Sequence, residues 1–184
     1  RMTKDGQLDE SFGTDGFKHF KMSGLNSAGD IAVKDMALSP NGDIVIVGHV
    51  PDSLRLSGFI RIFEADGQIS YKDNGDYVLE ADNYESNAGY FFNSVAVQPD
   101  GKIVVGGNNL LDYYIARFSY LNETDITLDT DFASSGEFTF DAGLHNYSGA
   151  YESIYNVAIQ ADGKIVATGR NNVFRINANG ISDS

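Results

Sequence analysis

One segment occurs three times in this chain of 184 residues: Ser39-Pro40-Asn41-Gly42-Asp43-Ile44-Val45, Gln98-Pro99-Asp100-Gly101-Lys102-Ile103-Val104 and Gln160-Ala161-Asp162-Gly163-Lys164-Ile165-Val166. Its glycines stand 59 and 62 residues apart, so the fold must be assembled from copies of one unit of about sixty residues. Other markers keep the phase. Gly48, Gly107 and Gly169 follow those turns by six residues, and Arg1, Arg61, Arg117 and Arg175 recur at steps of 60, 56 and 58. The chain reads as a single array over residues 1–184, with units near 7–66, 67–122 and 123–180 and residues 1–6 ending a preceding one.

Each unit carries four strand signals. The first, Gly16-Phe17-Lys18-His19-Phe20 or Gly136-Glu137-Phe138-Thr139-Phe140, alternates apolar and polar residues as a strand with one covered face does. The second (Met36 to Leu38, Val95 to Val97, Val157 to Ile159) and third (Ile44 to Val47, Ile103 to Val105, Ile165 to Ala167) flank the repeated turn. In that turn Pro presets φ, replaced by Ala161 in the third copy, and Gly42, Gly101 or Gly163 takes the left-handed position that closes a short hairpin. The fourth strand, Phe59 to Phe63, Tyr113 to Phe118 or Val173 to Ile176, holds the recurring arginine. Asp66-Gly67 and Asn179-Gly180 close a second turn after it, as Asp5-Gly6 does after Arg1.

The third strands are aliphatic at consecutive positions, so both of their faces must be covered, which a sheet stacked between two others provides. The expected fold is therefore all-β: three four-stranded antiparallel repeats stacked radially as β-propeller blades. A parallel β-solenoid is the rival, but its repeat is usually shorter and lacks the fixed hairpin turn. Because a propeller closes with typically four to eight blades, three units are expected to belong to a larger propeller or to dock on another subunit. Both chain ends fall at nearly the same repeat phase, Arg1 being the arginine of a fourth strand and Asn179-Gly180-Ile181-Ser182-Asp183-Ser184 the start of another unit.

Composition removes several functions. With 26 acidic residues against 13 Lys and Arg, the net charge of −13 disfavours nucleic acids and anionic membranes as partners. The absence of cysteine excludes disulfides, thiolate zinc sites and a cysteine nucleophile. Aliphatic runs such as Ile44 to Val47 are far shorter than the roughly 20 residues of a bilayer-crossing helix, so no membrane insertion is expected.

Gly6-Gln7-Leu8-Asp9-Glu10-Ser11-Phe12-Gly13-Thr14-Asp15-Gly16, Val97-Gln98-Pro99-Asp100-Gly101-Lys102-Ile103-Val104 and Ile115-Ala116-Arg117-Phe118 together resemble the delta-60 repeat of secreted and surface-associated bacterial proteins. Leu128-Asp129-Thr130-Asp131-Phe132-Ala133-Ser134-Ser135-Gly136 repeats the first element with Ala133 for glycine. The middle unit, Gly67-Gln68-Ile69-Ser70-Tyr71-Lys72-Asp73-Asn74-Gly75, is two residues shorter and lacks the Asp and the Phe. The resemblance implies an exported, extracellular or cell-surface location and a repeat scaffold with no assigned chemistry.

The recurring Arg61, Arg117 and Arg175 could ring an anion. Each stands among apolar strand residues, however, and the repeat-phase Asp9 and Asp129 offer the fork geometry of an Arg-carboxylate bridge between units. The expectation is a structural role at equivalent, little-exposed positions, as for Gly48, Gly107 and Gly169. Calcium would be sought at the loop acids Glu80, Asp82 and Glu85, but no Asp-x-Asp-x-Asp-Gly spacing converges carboxylates, and neither a metal nor another cofactor is expected. His19, His49 and His145 occupy three different repeat phases without a nucleophile elbow or His-x-x-x-His. Among the aromatic and asparagine residues, Phe92 and Tyr113 belong to packing, while Tyr84, Tyr90, Asn108 and Asn109 are the candidates for binding a glycan or another ligand.

The reading that follows is a non-catalytic structural or protein-interaction scaffold whose partners are other repeats or another subunit. A lectin-like or adhesin-like module using the loop aromatics is the alternative. A hydrolase or lyase with its site on further blades ranks below both.

Overall fold

The three repeated turns fold as their residues demand: Gly42, Gly101 and Gly163 have φ of +92°, +87° and +84°, in the left-handed region where glycine alone is unstrained. A computed structural model describes residues 1–20, 31–52, 55–69, 76–79, 89–109, 112–121, 125–143 and 152–182, and within these the chain forms β-strands and no helix. The first sheet has the order β1 (Ala32–Leu38), β2 (Ile44–Asp52), β3 (Arg55–Phe63), β4 (Asp76–Leu79). The second runs β5 (Tyr90–Val97), β6 (Ile103–Asn109), β7 (Asp112–Leu121), β8 (Asp125–Leu128), with β9 (Glu137–Phe140) also on β7. The third is β10 (Ile154–Ile159), β11 (Ile165–Gly169), β12 (Asn172–Ile176), and every pairing is antiparallel.

The strand numbers of the sheets are thus four, five and three rather than four in each. The opening strand of a repeat is hydrogen-bonded to the last strand of the repeat before it: Glu137 to Phe140 pair with Ala116 to Tyr113. In the first sheet β4 holds the same place on β3. Sheets therefore lie out of phase with the sequence units, because repetition defines a period and not the point at which one sheet ends. Gly16 to Phe20, at the phase of β9, forms only the isolated bridge Thr14 to Phe17.

The stacking order follows from side-chain alternation. Ile103 and Val105 face the first sheet, packed with Val45, Val47, Ile60 and Ile62, while Val104 between them faces the third sheet with Ile154, Val157 and Ile165. All of β6 from Ile103 to Asn108 is buried, so the consecutive aliphatic residues mark a sheet covered on both sides. Val45, Val47, Ile60 and Ile62 occupy, in their own sheet, the forward face that Val104, Gly106, Ile115 and Arg117 occupy in the second.

The first strand of each sheet carries a register break at one equivalent place, after Val33, Phe92 and Ile154. This bulge re-aims the following side chain toward the next sheet. Asp35 Oδ2 accepts from Ser94 Oγ at 2.8 Å and from the Val95 N–H at 3.0 Å, and one sheet further Ser94 Oγ accepts from the Val157 N–H at 3.2 Å. Just before the bulge, the carbonyls of Ala32, Phe91 and Ser153 press onto Gly48, Gly107 and Gly169, in the space a Cβ would need. That close approach is why glycine recurs six residues after each turn.

The two glycine classes should respond differently to substitution. Gly101→Ala meets no atom within 4 Å and costs only the left-handed backbone penalty, about 1 kcal/mol, whereas Gly107→Ala must displace the Phe91 carbonyl and should cost about 3 kcal/mol or more. Urea unfolding of both variants measures this; equal costs would refute the contact of β5 with β6 at Gly107.

Candidate functional site

The loops that follow Arg117 and Arg1 fold back to latch one sheet to the next. In the second sheet Arg117, 7% exposed, donates from Nε to Asp129 Oδ2 at 2.7 Å and from Nη1 to the Ala178 carbonyl at 2.6 Å, beyond the last strand of the third sheet. Its guanidinium lies 4.8 Å from the centre of the Phe132 ring, and that ring packs under Gly180, where a Cβ would come within 2.9 Å. The Ala133 N–H completes the latch on the Asn179 carbonyl at 2.8 Å.

The same set recurs at the start of the chain. Arg1 Nε meets Asp9 Oδ2 at 2.8 Å, Arg1 Nη1 donates to the Ala65 carbonyl at 2.5 Å, and the Gly13 N–H donates to the Asp66 carbonyl at 3.0 Å. Phe12 stands in for Phe132, 5.2 Å from the guanidinium and against Gly67. Guanidinium, carboxylate, aromatic ring and the carbonyl of the next turn thus form one recurring unit, more exposed at Arg1 than at Arg117.

Arg61 does not take this position. It lies opposite Ile46, whereas Arg117 lies opposite Val104 and Arg175 opposite Val166. Counted from the repeated turn, Ile62 opposite Val45 is the equivalent of Arg117, and Arg61 is one residue out of step on the opposite face. There it is 1% exposed, its guanidinium 4.8 Å from the Phe20 ring and 5.9 Å from that of Phe63. The junction after Arg61, where the middle unit begins without the latch aspartate, thus lacks the latch arginine as well. One sequence signal marks this: Gly6 and Gly180 follow Arg1 and Arg175 by five residues, but Gly67 follows Arg61 by six. Arg175 does share the position of Arg117, but it is exposed, and among the described residues no sheet packs on that face.

The binding candidates divide. Tyr84 lies outside the described residues, as do Glu80, Asp82, Glu85 and His145. Tyr90 is half-buried with its ring 5.2 Å from that of Tyr114. Asn108 is 4% exposed and accepts from Ser153 Oγ at 2.9 Å, so it joins the second sheet to the third instead of facing a ligand. Asn93 Nδ2, one of the asparagines that accompany the aromatic residues in the sequence, donates to Ser153 Oγ at 2.8 Å and to the Ile154 carbonyl at 3.0 Å across the same seam. Asn109 is half-buried at the end of β6, between Tyr90 and Asp112 in register. Phe92 and Tyr113 are fully buried, and Tyr113 donates its hydroxyl to the Arg170 carbonyl at 2.6 Å.

Among the described residues no group of three or more His, Asp or Glu could hold a metal ion. His19 is exposed, and His49 packs edge-on against Phe91 at 5.0 Å. Burial, with the charge of Lys34 adding to it, holds His49 below the ordinary histidine value of 6.5. At Asp129 burial pushes the carboxyl up, but the hydrogen bond from Lys102, the charge of Arg117 and its hydrogen bond outweigh that and leave it low. Asp9 is lowered by hydrogen bonds from Ser11 and Arg1. A cleft of about 290 Å³ between successive repeat turns, lined by Asn41, Pro99, Asp100 and Tyr120 among others, carries no convergent catalytic groups.

No family model matches the chain, and no curated protein does. Among solved structures it is similar to the crystal structure of a protein of unknown function from Bacteroides caccae, at 10% identity and a TM-score of 0.37, with 98% of this chain and 71% of that chain covered.

Two outcomes follow from the geometry. Asp129→Asn breaks a buried pair and should cost about 2–3 kcal/mol, while Asp9→Asn at the exposed latch should cost markedly less, as read by chemical denaturation. Acidification should destabilise the fold in two steps. Below about pH 6.5 the unfolded chain takes a proton that folded His49 refuses, a step that His49→Gln should remove; below about pH 3.8 the stability contributed by ionised Asp9 and Asp129 is lost as they protonate.

Proposed function

We propose that the chain is a non-catalytic scaffold: three blades of a β-propeller, built from repeats resembling the delta-60 type, in an exported or cell-surface bacterial protein. The observation that carries this reading is the use made of the residues that recur. Arg117 with Asp129 and Phe132, Arg1 with Asp9 and Phe12, the glycines under the bulge carbonyls and the Pro-Asp-Gly turns are all engaged in holding sheet to sheet or strand to strand. What recurs is structural, and loops such as 80–88 differ from unit to unit. Repeat arrays derive stability from intrinsic unit terms plus nearest-neighbour interfaces, which is where these residues sit. The partners of such a scaffold are further repeats of its own kind or another protein subunit. The lectin-like alternative loses support from Asn108, which is buried, and Tyr90, which is half-buried.

An immobilised-glycan screen of the whole chain tests the reading. No retained glycan is expected, and Tyr84→Ala should leave the protein's stability and surface behaviour unchanged. Saturable glycan binding that Tyr84→Ala or Tyr90→Ala abolishes would replace the scaffold with a carbohydrate-binding module.

A further inference from the structure

The junction of the first sheet with the second and that of the second with the third are built alike, yet they carry different chemistry at equivalent positions. Between the second and third sheets Asn93 and Asn108 hold Ser153, all neutral groups joined by hydrogen bonds. Counted from the bulges, the same positions between the first and second sheets carry Lys34, His49 and Phe91. His49 meets Phe91 with ring centres 5.0 Å apart, and its Nδ1 is buried with no hydrogen-bond partner among the described residues. The ionic latch is missing from this junction as well. Where Arg117 and Lys102 both reach Asp129 Oδ2, at 2.7 and 2.8 Å, the first sheet has Ile62 and Asp43 in the places of the two cations.

We infer that the junction between the first and second sheets is a proton-sensitive joint: in mild acid His49 takes up a proton and the His49–Phe91 end of this seam loosens, while the junction between the second and third sheets stays closed. An imidazolium ring needs an acceptor at each of its nitrogens. Nδ1 has none in the seam, and the added charge would be withdrawn from water. The strands packed around the ring do not supply the missing acceptor. β1 brings Lys34, of the same sign as the imidazolium, and Asp35, whose oxygens accept from Ser94, Val95 N–H and Met36 N–H. β3 presents Ser57 and Gly58, and β5 presents Tyr90 and Phe91, none of them charged. Burial, with the charge of Lys34 adding to it, holds folded His49 below 6.5. The closed contact is therefore fully favoured above pH 6.5 and loses that advantage as pH falls below it. Loosening stays local, because Asp35 pins Ser94 and Val95 and the apolar cluster of Val47, Ile60 and Phe92 holds the rest of the seam. In the second junction Asn93, Asn108 and Ser153 do not titrate, which makes it an internal control.

Nuclear magnetic resonance of the whole chain, from about pH 7.5 down to about pH 5.5, tests this. The His49 ring should titrate below 6.5, and the magnetisation transfer between the His49 and Phe91 rings should fade on acidification. Backbone amide exchange, corrected for its intrinsic dependence on pH, should quicken at residues 48–50 and 90–92 but not at 154–156 and 168–170. One pH unit below 6.5 allows an acceleration of up to about tenfold, the proton-uptake advantage of the open form. His49→Asn gives the joint the side chain of Asn108 and should abolish the acceleration. Lys34→Asn, at an exposed position, should move the His49 titration up toward 6.5 and reduce it. Should His49→Asn fail to fold, the titration of the unaltered chain and the Lys34→Asn variant still decide the matter. A His49 that titrates at or above 6.5 overturns the inference, as does exchange that is unchanged or quickens equally at both junctions, or an acceleration that survives in His49→Asn.

Discussion

Everything in this fold depends on β6 being covered from both sides. Ile103, Val104 and Val105 put apolar side chains alternately on the two faces of the second sheet, and neither face can be left to water. The first and third sheets are the cover, and their own strands repeat the demand. That places β5 against the first sheet and β10 against the second, close enough for Gly58 to face the Phe92 ring and Gly106 to face Val157 and Ile154 without room for a Cβ. These two glycines are the consequence of sheets brought this near to one another, whereas the recurring Gly48, Gly107 and Gly169 make room for a carbonyl of the neighbouring strand.

The apolar stack would slide without directional contacts, and the polar ones are placed at its seams. On β1 and β5, bulge residues Asp35 and Ser94 hold the main chain of the next sheet, while Asn93, Asn108 and Ser153 form a small bonded group between the second and third. After the arginine strands the latch does the same with charge. Its strength depends on burial: Arg117 and Asp129 are shielded beside Phe132, whereas Arg1 and Asp9 remain partly in water. The first sheet, with Ile62 at the latch position, relies on apolar packing there and turns Arg61 to its other face, against Phe20 and Phe63. A single-residue step therefore exchanges an ionic link between sheets for a cation over aromatic rings.

This economy bears on function. Polar groups that looked available for recognition, such as Asn108, are engaged between sheets, and the residues most regularly repeated are those most involved in cohesion. Chemistry in such an array would have to come from residues that vary between units.

The sequence by itself determined the period, the glycine turns and the double-sided burial of the central strands. Each is a local matter: Pro-Asp-Gly constrains its own φ angles, and consecutive aliphatic residues on a strand point to opposite faces whatever lies beyond. Tertiary structure alone decided where one sheet ends, which face Arg61 occupies and what Asn108 holds. Strand pairing can pass an opening strand such as β9 back to the previous sheet without altering the repeat spacing. Because side chains alternate with a period of two, the one-residue offset between Arg61 and Arg117 reverses the face. Loops of unequal length between turn and arginine conceal that offset, and only the hydrogen-bonded register, Arg61 opposite Ile46 and Arg117 opposite Val104, reveals it.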